Sequence, residues 1–359
     1  MNRSRVPLGT VTAAAVLVFL AAALGVSAGS GVRVSRVEGG AAATAGSPWT
    51  VKLRVRPASF SGVVRVVATR PGRVAVRARG GHGAYRARLV FPKPGAWRLT
   101  VLAGGYRSRL GSIRVRPAPP LLFEEPTGID ARPDGSLLVV EFGLRRLVRV
   151  DPPTGRTTEL ATFDKPWGVA QSPSGSVFVS DRGSLVRIDG DRVRTTIATA
   201  DPGVEIGPVA VAAGGDVFYS TARALYRVGT PQRLAADLNS PHGLALARDG
   251  TVLVSDTEDG RILRVDPVSG QATTFATLGH PRGIDVAEDG TVYVVAADEH
   301  RVVRFSADGG RLGTIGPRFN DPYALALAPG GTVYAIEAGP QGFIRRIDPD
   351  GRSSVVRSH

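Results

Sequence analysis

The 359-residue chain has no cysteine, and its single methionine is the initiator. Zero cysteine excludes a disulfide framework, a thiolate metal site and a lipid-modified cysteine behind a signal sequence. Any chemistry must therefore use other side chains. Lysine is almost missing too: of the 45 basic residues only Lys52, Lys93 and Lys165 are not arginine. Acids are scarce in one stretch only. Residues 29–118 carry 18 basic residues beside a single acid, Glu38, whereas residues 119–359 carry 25 basic residues against 30 acids. Beyond residue 28 no apolar run is long enough to span a bilayer, which takes about 20 residues.

Two folded units are the starting expectation for a chain of this length. Residues 1–28 read as an export signal. Arg3 and Arg5 supply the positive segment, an apolar run follows to Val26, and Val26-Ser27-Ala28 ends it with small residues. Cleavage after Ala28 is expected, the alternative being a retained membrane anchor over residues 6–26. Either way the rest of the chain is expected to be secreted or extracytoplasmic.

The basic segment, residues 29–118, alternates apolar and polar residues at period two in PWTVKLRVRP, GVVRVVAT, RVAVRAR, AYRARLVF, AWRLTVLA and GSIRVRP. With Val32 to Val37 that makes about seven short strands split by Gly, Pro and Ser clusters, the pattern of a β-sandwich. Its positive charge suits a polyanion. Given export, anionic cell-wall polymers or lipid headgroups are expected, and nucleic acid is not. The competing reading is a solvated face whose arginines reflect base composition.

Residues 119–359 are built from repetition. EPTGIDARPDGSLLVVE, KPWGVAQSPSGSVFVSD, GPVAVAAGGDVFYST, SPHGLALARDGTVLVSD, HPRGIDVAEDGTVYVVA and DPYALALAPGGTVYAIE align on Pro126, Pro166, Pro208, Pro241, Pro281 and Pro322. A period near 40 with strand chemistry and Asp-Gly, Ser-Gly or Gly-Gly turns predicts four strands per repeat and a propeller. The third repeat is two residues short ahead of its turn, which predicts a trimmed edge. The fold class expected is all-β, a six-bladed β-propeller preceded by a sandwich.

These repeats resemble NHL-type six-bladed propellers and the related gluconolactonase/regucalcin and streptogramin-lyase groups. The phrase HGAYRARLVFPKPGAWRLTV resembles small immunoglobulin-like modules of the YtkA and copper-resistance-C kind, which implies an immunoglobulin-like domain. Some such modules bind copper, but here only His82 is available. One imidazole is too few ligands.

The propeller resemblance implies that the residue after each repeat proline lines the axial mouth: Thr127, Trp167, Val209, His242, Arg282 and Tyr323. Related peptidyl-hydroxyglycine lyases hold zinc with a Pro-His pair in three repeats; this chain has one, at His242. Gluconolactonases hold calcium or zinc with a leading glutamate, for which Glu125 could stand in. Their other ligands, however, would fall on Trp167, His242 and Arg282. A cation beside a guanidinium is disfavoured. No metal ligands are therefore expected and no cofactor, calcium and zinc being the ions the resemblance leaves open.

A second ring stands six residues beyond each turn glycine: Glu141, Asp181, Thr221, Asp256, Ala296 and Glu337. It reads either as a carboxylate site or as acids accepting backbone N–H groups in the next turn, the structural role being favoured. His280, beside Pro281, could face the axial mouth, while His300 is expected at the surface.

Thr127, Trp167, His242, Arg282 and Tyr323 remain as candidate ligand-binding residues for a molecule with an apolar or sugar face and an anionic or carbonyl group. Two functions follow. The first is an exported binding or scaffold protein, its axis holding a small molecule or protein partner and its basic domain associating with the envelope. The second is a lactonase-like hydrolase or lyase in which His242 is the general base and Arg282 stabilises developing negative charge.

Overall fold

The computed structural model describes residues 32–39, 42–117, 122–190, 193–230 and 232–357. The expected export signal lies outside them, as does part of the proline-rich link after Arg116. Among the described residues every regular element is a strand. The chain divides into two compact units, the first ending at Ala118 and the second starting at Pro119.

Among its described residues unit 1 has nine strands: β1 (Arg33–Glu38), β2 (Ala42–Thr44), β3 (Pro48–Arg56), β4 (Val64–Thr69), β5 (Arg73–Arg77), β6 (Arg79–Gly81), β7 (Ala84–Val90), β8 (Gly95–Ala103) and β9 (Tyr106–Arg116). The seven expected strands are present, and two three-residue strands, β2 and β6, are added. They are too short to show a period. One sheet has the order β1-β3-β7-β6, the other β2-β9-β8-β4-β5. Alternation decides which side is buried: in β3, Trp49, Val51, Leu53 and Val55 turn inward while Thr50, Arg54 and Arg56 face water. Trp49, Phe91 and Trp97 interlock in the shared core, with ring centroids 5.9 and 5.2 Å apart. The Trp97 indole N–H donates to the Lys93 carbonyl at 3.0 Å, so its polar edge is satisfied on burial.

Unit 2 consists of six antiparallel sheets among the described residues, each following the last in chain order. The first is typical: Pro126–Ala131, Leu137–Glu141, Arg146–Asp151 and Arg156–Thr162 pair in succession. Its second strand is buried throughout, as expected for an apolar LLVV run covered on both faces. Two further segments, one from each end of the unit, join the last sheet. Leu122–Phe123 pairs with Gly342–Ile347, and Ser353–Val355 pairs with the same strand farther along. Phe123 and Val356 thereby enter one core with Ile336 and Ile344, so both ends of unit 2 are fastened to the same strand.

The innermost strands of neighbouring sheets approach very closely. A Cβ on Gly243 would lie 2.4 Å from the Arg282 carbonyl oxygen, and one on Gly283 would lie 2.6 Å from the Cα of Ala324. This close approach is the physical reason for the glycine in the Pro-x-Gly phrase.

The third sheet departs from the expectation. Val209 pairs with Tyr219 as Ile129 pairs with Val139, so it sits two places deeper than the repeat proline suggested. The two missing residues come off the start of the innermost strand, which is only Val209–Val211, and not off an outer edge.

Candidate functional site at the propeller axis

In five sheets the register slips between the repeat proline and the residues that follow, a β-bulge at the strand's entry. A bulge re-aims the side chain at that point. The five residues at the slip are Thr127, Trp167, His242, Arg282 and Tyr323, all half-buried. The third sheet shows no slip, and the matching place there is Gly207, which has no side chain to offer. Val209 is thus removed from the expected axial ring.

Four of the five form one connected group. The Trp167 ring stacks on His242 with centroids 6.1 Å apart, and each also touches Tyr323, at 6.0 and 5.7 Å. The Arg282 guanidinium lies over the Tyr323 ring at 5.2 Å. Thr127 takes a supporting part, its hydroxyl donating to the Trp167 carbonyl at 2.9 Å. Phe142, which the sequence reading did not single out, meets Trp167 edge-on at 6.1 Å. It directly follows the second-strand acid Glu141, and no repeat rule marks that place.

Arg282 Nη1 donates to the Asp321 carboxylate at 2.7 Å and to the Pro322 carbonyl at 3.1 Å, while its buried Nε has no partner among the described residues. His242 Nδ1 is likewise buried without a partner. Burial lowers the His242 pKa, the Arg282 charge lowers it further, and Glu258 opposes them. The imidazole is therefore neutral at pH 7 and able to accept a proton. Burial pushes the Tyr323 phenol up, so it stays protonated.

Beneath the ring lies a recess of about 70 Å³ lined by Trp167, His242 and the Pro-x-Gly glycines. Its floor is a collar of Ile129, Val169, Val209, Leu244, Ile284 and Leu325, which also lines a cavity of about 250 Å³ on the far side. The recess has room for about two waters. A larger ligand must rest across the aromatic mouth.

The far cavity holds two carboxyls the sequence reading passed over, Asp130 and Asp285. Asp130 accepts the Gln171 N–H at 2.7 Å and Asp285 the Leu327 N–H at 2.8 Å, each reaching the innermost strand of the next sheet. Burial raises their pKa values to about 7 and about 6, the Asp285 charge adding to the shift on Asp130. The repeated Gly-Ile-Asp of the first and fifth phrases was the signal available.

The second ring is structural. Glu141 accepts the Glu124 N–H, Asp181 the Lys165 N–H, Asp256 the Asn239 N–H and Glu337 the Asn320 N–H. The donors lie in the segment entering each acid's own sheet, not in the next turn as the sequence suggested. His280 is exposed and hydrogen-bonded to Asp298 at 2.8 Å, and the His300 imidazole meets the Asn320 carbonyl at 2.8 Å. His82 is exposed in unit 1. Glu125 is exposed too. With Trp167 and Arg282 at two of the other three ligand places, and only His242 left to ligate, these residues do not fit a calcium or zinc ion. No group of three histidine, aspartate or glutamate side chains suited to a metal occurs among the described residues.

Consecutive antiparallel sheets whose innermost strands meet around a shared recess mark unit 2 as a β-propeller. Residues 238–264, in the fourth sheet, match the NHL repeat. Among curated proteins none matches the sequence. Virginiamycin B lyase from Staphylococcus aureus is similar in structure with a TM-score of 0.53 and 16% identity, covering 65% of this chain and 84% of that one. A gluconolactonase from Xanthomonas campestris is similar with a TM-score of 0.54 and 21% identity, covering 63% and 87%. A histidine-to-alanine variant of the staphylococcal lyase, described as catalytically inactive and bound to quinupristin, has a TM-score of 0.50 and 17% identity over 65% and 84%. At these identities the likeness speaks for the fold alone.

Proposed function

We propose that unit 2 is an enzyme that opens an ester or lactone across the axial ring, by lyase chemistry in preference to hydrolysis. The observation that carries this is His242: a buried Nδ1 without a partner, on an imidazole held neutral and enclosed by Trp167 and Tyr323. The scaffold reading offers no use for such a base, and the similar structures are mostly enzymes. In one of them, loss of a histidine accompanies loss of catalysis.

In this reading the aromatic faces hold the apolar side of the substrate. His242 takes a proton from the carbon next to a carbonyl. The charge that develops on the carbonyl oxygen is met by Arg282, whose Nε is unspent. The neighbouring ester C–O bond then breaks, its electron pair leaving on the carboxylate while a C=C bond forms. The imidazolium returns its proton to solvent. Six blades, an immunoglobulin-like sandwich over residues 29–118 and export through residues 1–28 belong to the same proposal.

The test is turnover of a panel of aryl-bearing esters and lactones by the full chain in ¹⁸O-labelled water. Elimination gives an unsaturated product without label, and hydrolysis gives a labelled acid. His242→Ala is expected to lower kcat/KM by about 10²- to 10⁴-fold. Activity should hold to below pH 6.5, because a lowered pKa keeps the base form present there. Full activity in His242→Ala sinks the proposal, and a labelled acid turns it to hydrolysis.

A further inference from the structure

The outer face of the sheet β1-β3-β7-β6 in unit 1 is an array of cations. Arg33 stands directly opposite Arg56, and Arg86 stands between Lys52 and Arg79. Arg54 and Arg88 complete the face, and all six arginines are exposed. Directly opposed like charges destabilise a sheet. Glu38, the one acid of the unit, is already engaged by Lys52. Among the described residues none of these six guanidinium groups lies within 4 Å of a carboxylate, and only Arg86 is near enough to Glu38 to lower its pKa through space.

Base composition does not explain the array, because unit 2 is a control within the same chain. It too uses arginine almost to the exclusion of lysine, yet it matches arginines to acids: Arg146 to Glu141, Arg187 to Asp189, Arg264 to Asp249, Arg311 to Glu299. The same genetic bias sets many arginines of unit 2 in ion pairs and none of these six. What differs is the surface, so the explanation belongs there.

We propose that this face binds a linear phosphate-bearing polymer without nucleobases, such as a polyphosphate or a phosphodiester-linked polyol. Guanidinium forks match phosphate oxygens two at a time, which is the chemistry that arginine offers over lysine. The face gives a base nothing to stack on, since Trp49, Tyr85, Phe91 and Trp97 are all buried in the core. It also offers a bilayer little to insert: the outward places of β3 and β7 are Pro48, Thr50, Lys52, Arg54, Arg56, Ala84, Arg86, Arg88 and Val90, with Val37 of β1 the other exposed large apolar side chain described on this sheet. Same-face residues repeat at about 7 Å along each strand and the strands lie about 4.8 Å apart, so a polymer laid across them meets a cation at nearly every step.

The test is titration of the full chain with long-chain inorganic polyphosphate at 50 and 200 mM salt. Binding should weaken steeply with salt. Replacing Arg54, Arg56 and Arg86 together by Gln should cut affinity at least tenfold and lower the slope of log K on log salt by about two, at ~0.7 per phosphate contact. The matching Lys triple should keep the slope and lose part of the affinity, which guards against a Gln variant that merely misfolds. Gln at Arg156, Arg223 and Arg233 of unit 2 should change affinity less than twofold. Three results overturn the proposal: no polyphosphate binding at 50 mM salt, an equal loss from the unit 2 triple, or equally tight binding of phosphatidylglycerol vesicles or a single-stranded oligonucleotide at matched phosphate.

Discussion

Units 1 and 2 share an arginine-rich composition and antiparallel strands, yet they handle charge in opposite ways. In unit 2 an acid at the end of a sheet's second strand meets an arginine from the third: Glu141 with Arg146 at 2.6 Å, Asp256 with Arg261 at 2.8 Å and Glu337 with Arg345 at 2.6 Å. Each acid also accepts a backbone N–H from the segment entering its sheet. One carboxylate thus ties three pieces of chain together at a buried point. In unit 1 the cross-strand partner of an arginine is often another arginine, as at Arg33 with Arg56 and Arg65 with Arg77. Composition does not decide whether a charge serves the fold; what stands across the strand does.

The sharpest way to break this contrast is to remove an acid from unit 2. Glu337 is buried, and Glu337→Ala leaves the Arg345 guanidinium and the Asn320 N–H without their acceptor. The expected cost is about 3 kcal/mol, or roughly 6–12 °C in the unfolding midpoint. Arg54→Ala, on the exposed face of unit 1, should stay within about 0.5 kcal/mol. A loss under 1 kcal/mol for Glu337→Ala would show that the triple contact is ornamental.

The far-side carboxyls give a smaller effect with a definite sign. Asp130 has its pKa raised to about 7 from a reference of 3.8, so the folded state binds the proton more tightly than the unfolded one. Its contribution is fully present below about pH 4 and is lost as pH rises toward 7. Asp130→Asn keeps an acceptor for the Gln171 N–H and removes the buried charge. It should raise the unfolding midpoint at pH 8 by a few degrees, leave it nearly unchanged at pH 4, and flatten the profile between. A midpoint that falls at pH 8 would mean the ionised carboxylate is needed where it stands.

The all-β character and the repeats of unit 2 were legible because strand period, turn glycines and repeat prolines all pointed the same way. The axial ring was legible in part. Trp167, His242, Arg282 and Tyr323 do meet, but Val209 does not join them, because a count from the proline cannot locate a deletion within a strand. Register against the second strand can, and that is a tertiary fact. Phe142 was invisible for a similar reason: it follows a strand's end, where no alternation applies. The role of the second-ring acids could be anticipated from their placement beside a turn, whereas their donors could not, since these come from about 17 residues upstream. Asp130 and Asp285 were in plain view within Gly-Ile-Asp, but nothing local tells a carboxyl at a channel wall from one in water.

The smallest expected effect tests the unit 1 side of the contrast directly. Arg33 and Arg56 are directly opposed on an exposed face, so their repulsion is screened by water and salt. Arg33→Glu turns a like pair into an opposite one, and a cross-strand pair of this kind changes stability by about 0.2–1 kcal/mol. The variant should unfold slightly later than the parent in low salt, and the gap should close as salt rises toward 1 M. Its affinity for polyphosphate should fall at the same time, since the array loses one cation and gains an anion. Stability and binding moving in opposite directions from one exposed substitution is what a surface selected for a ligand predicts. A purely solvated face would gain stability and lose nothing.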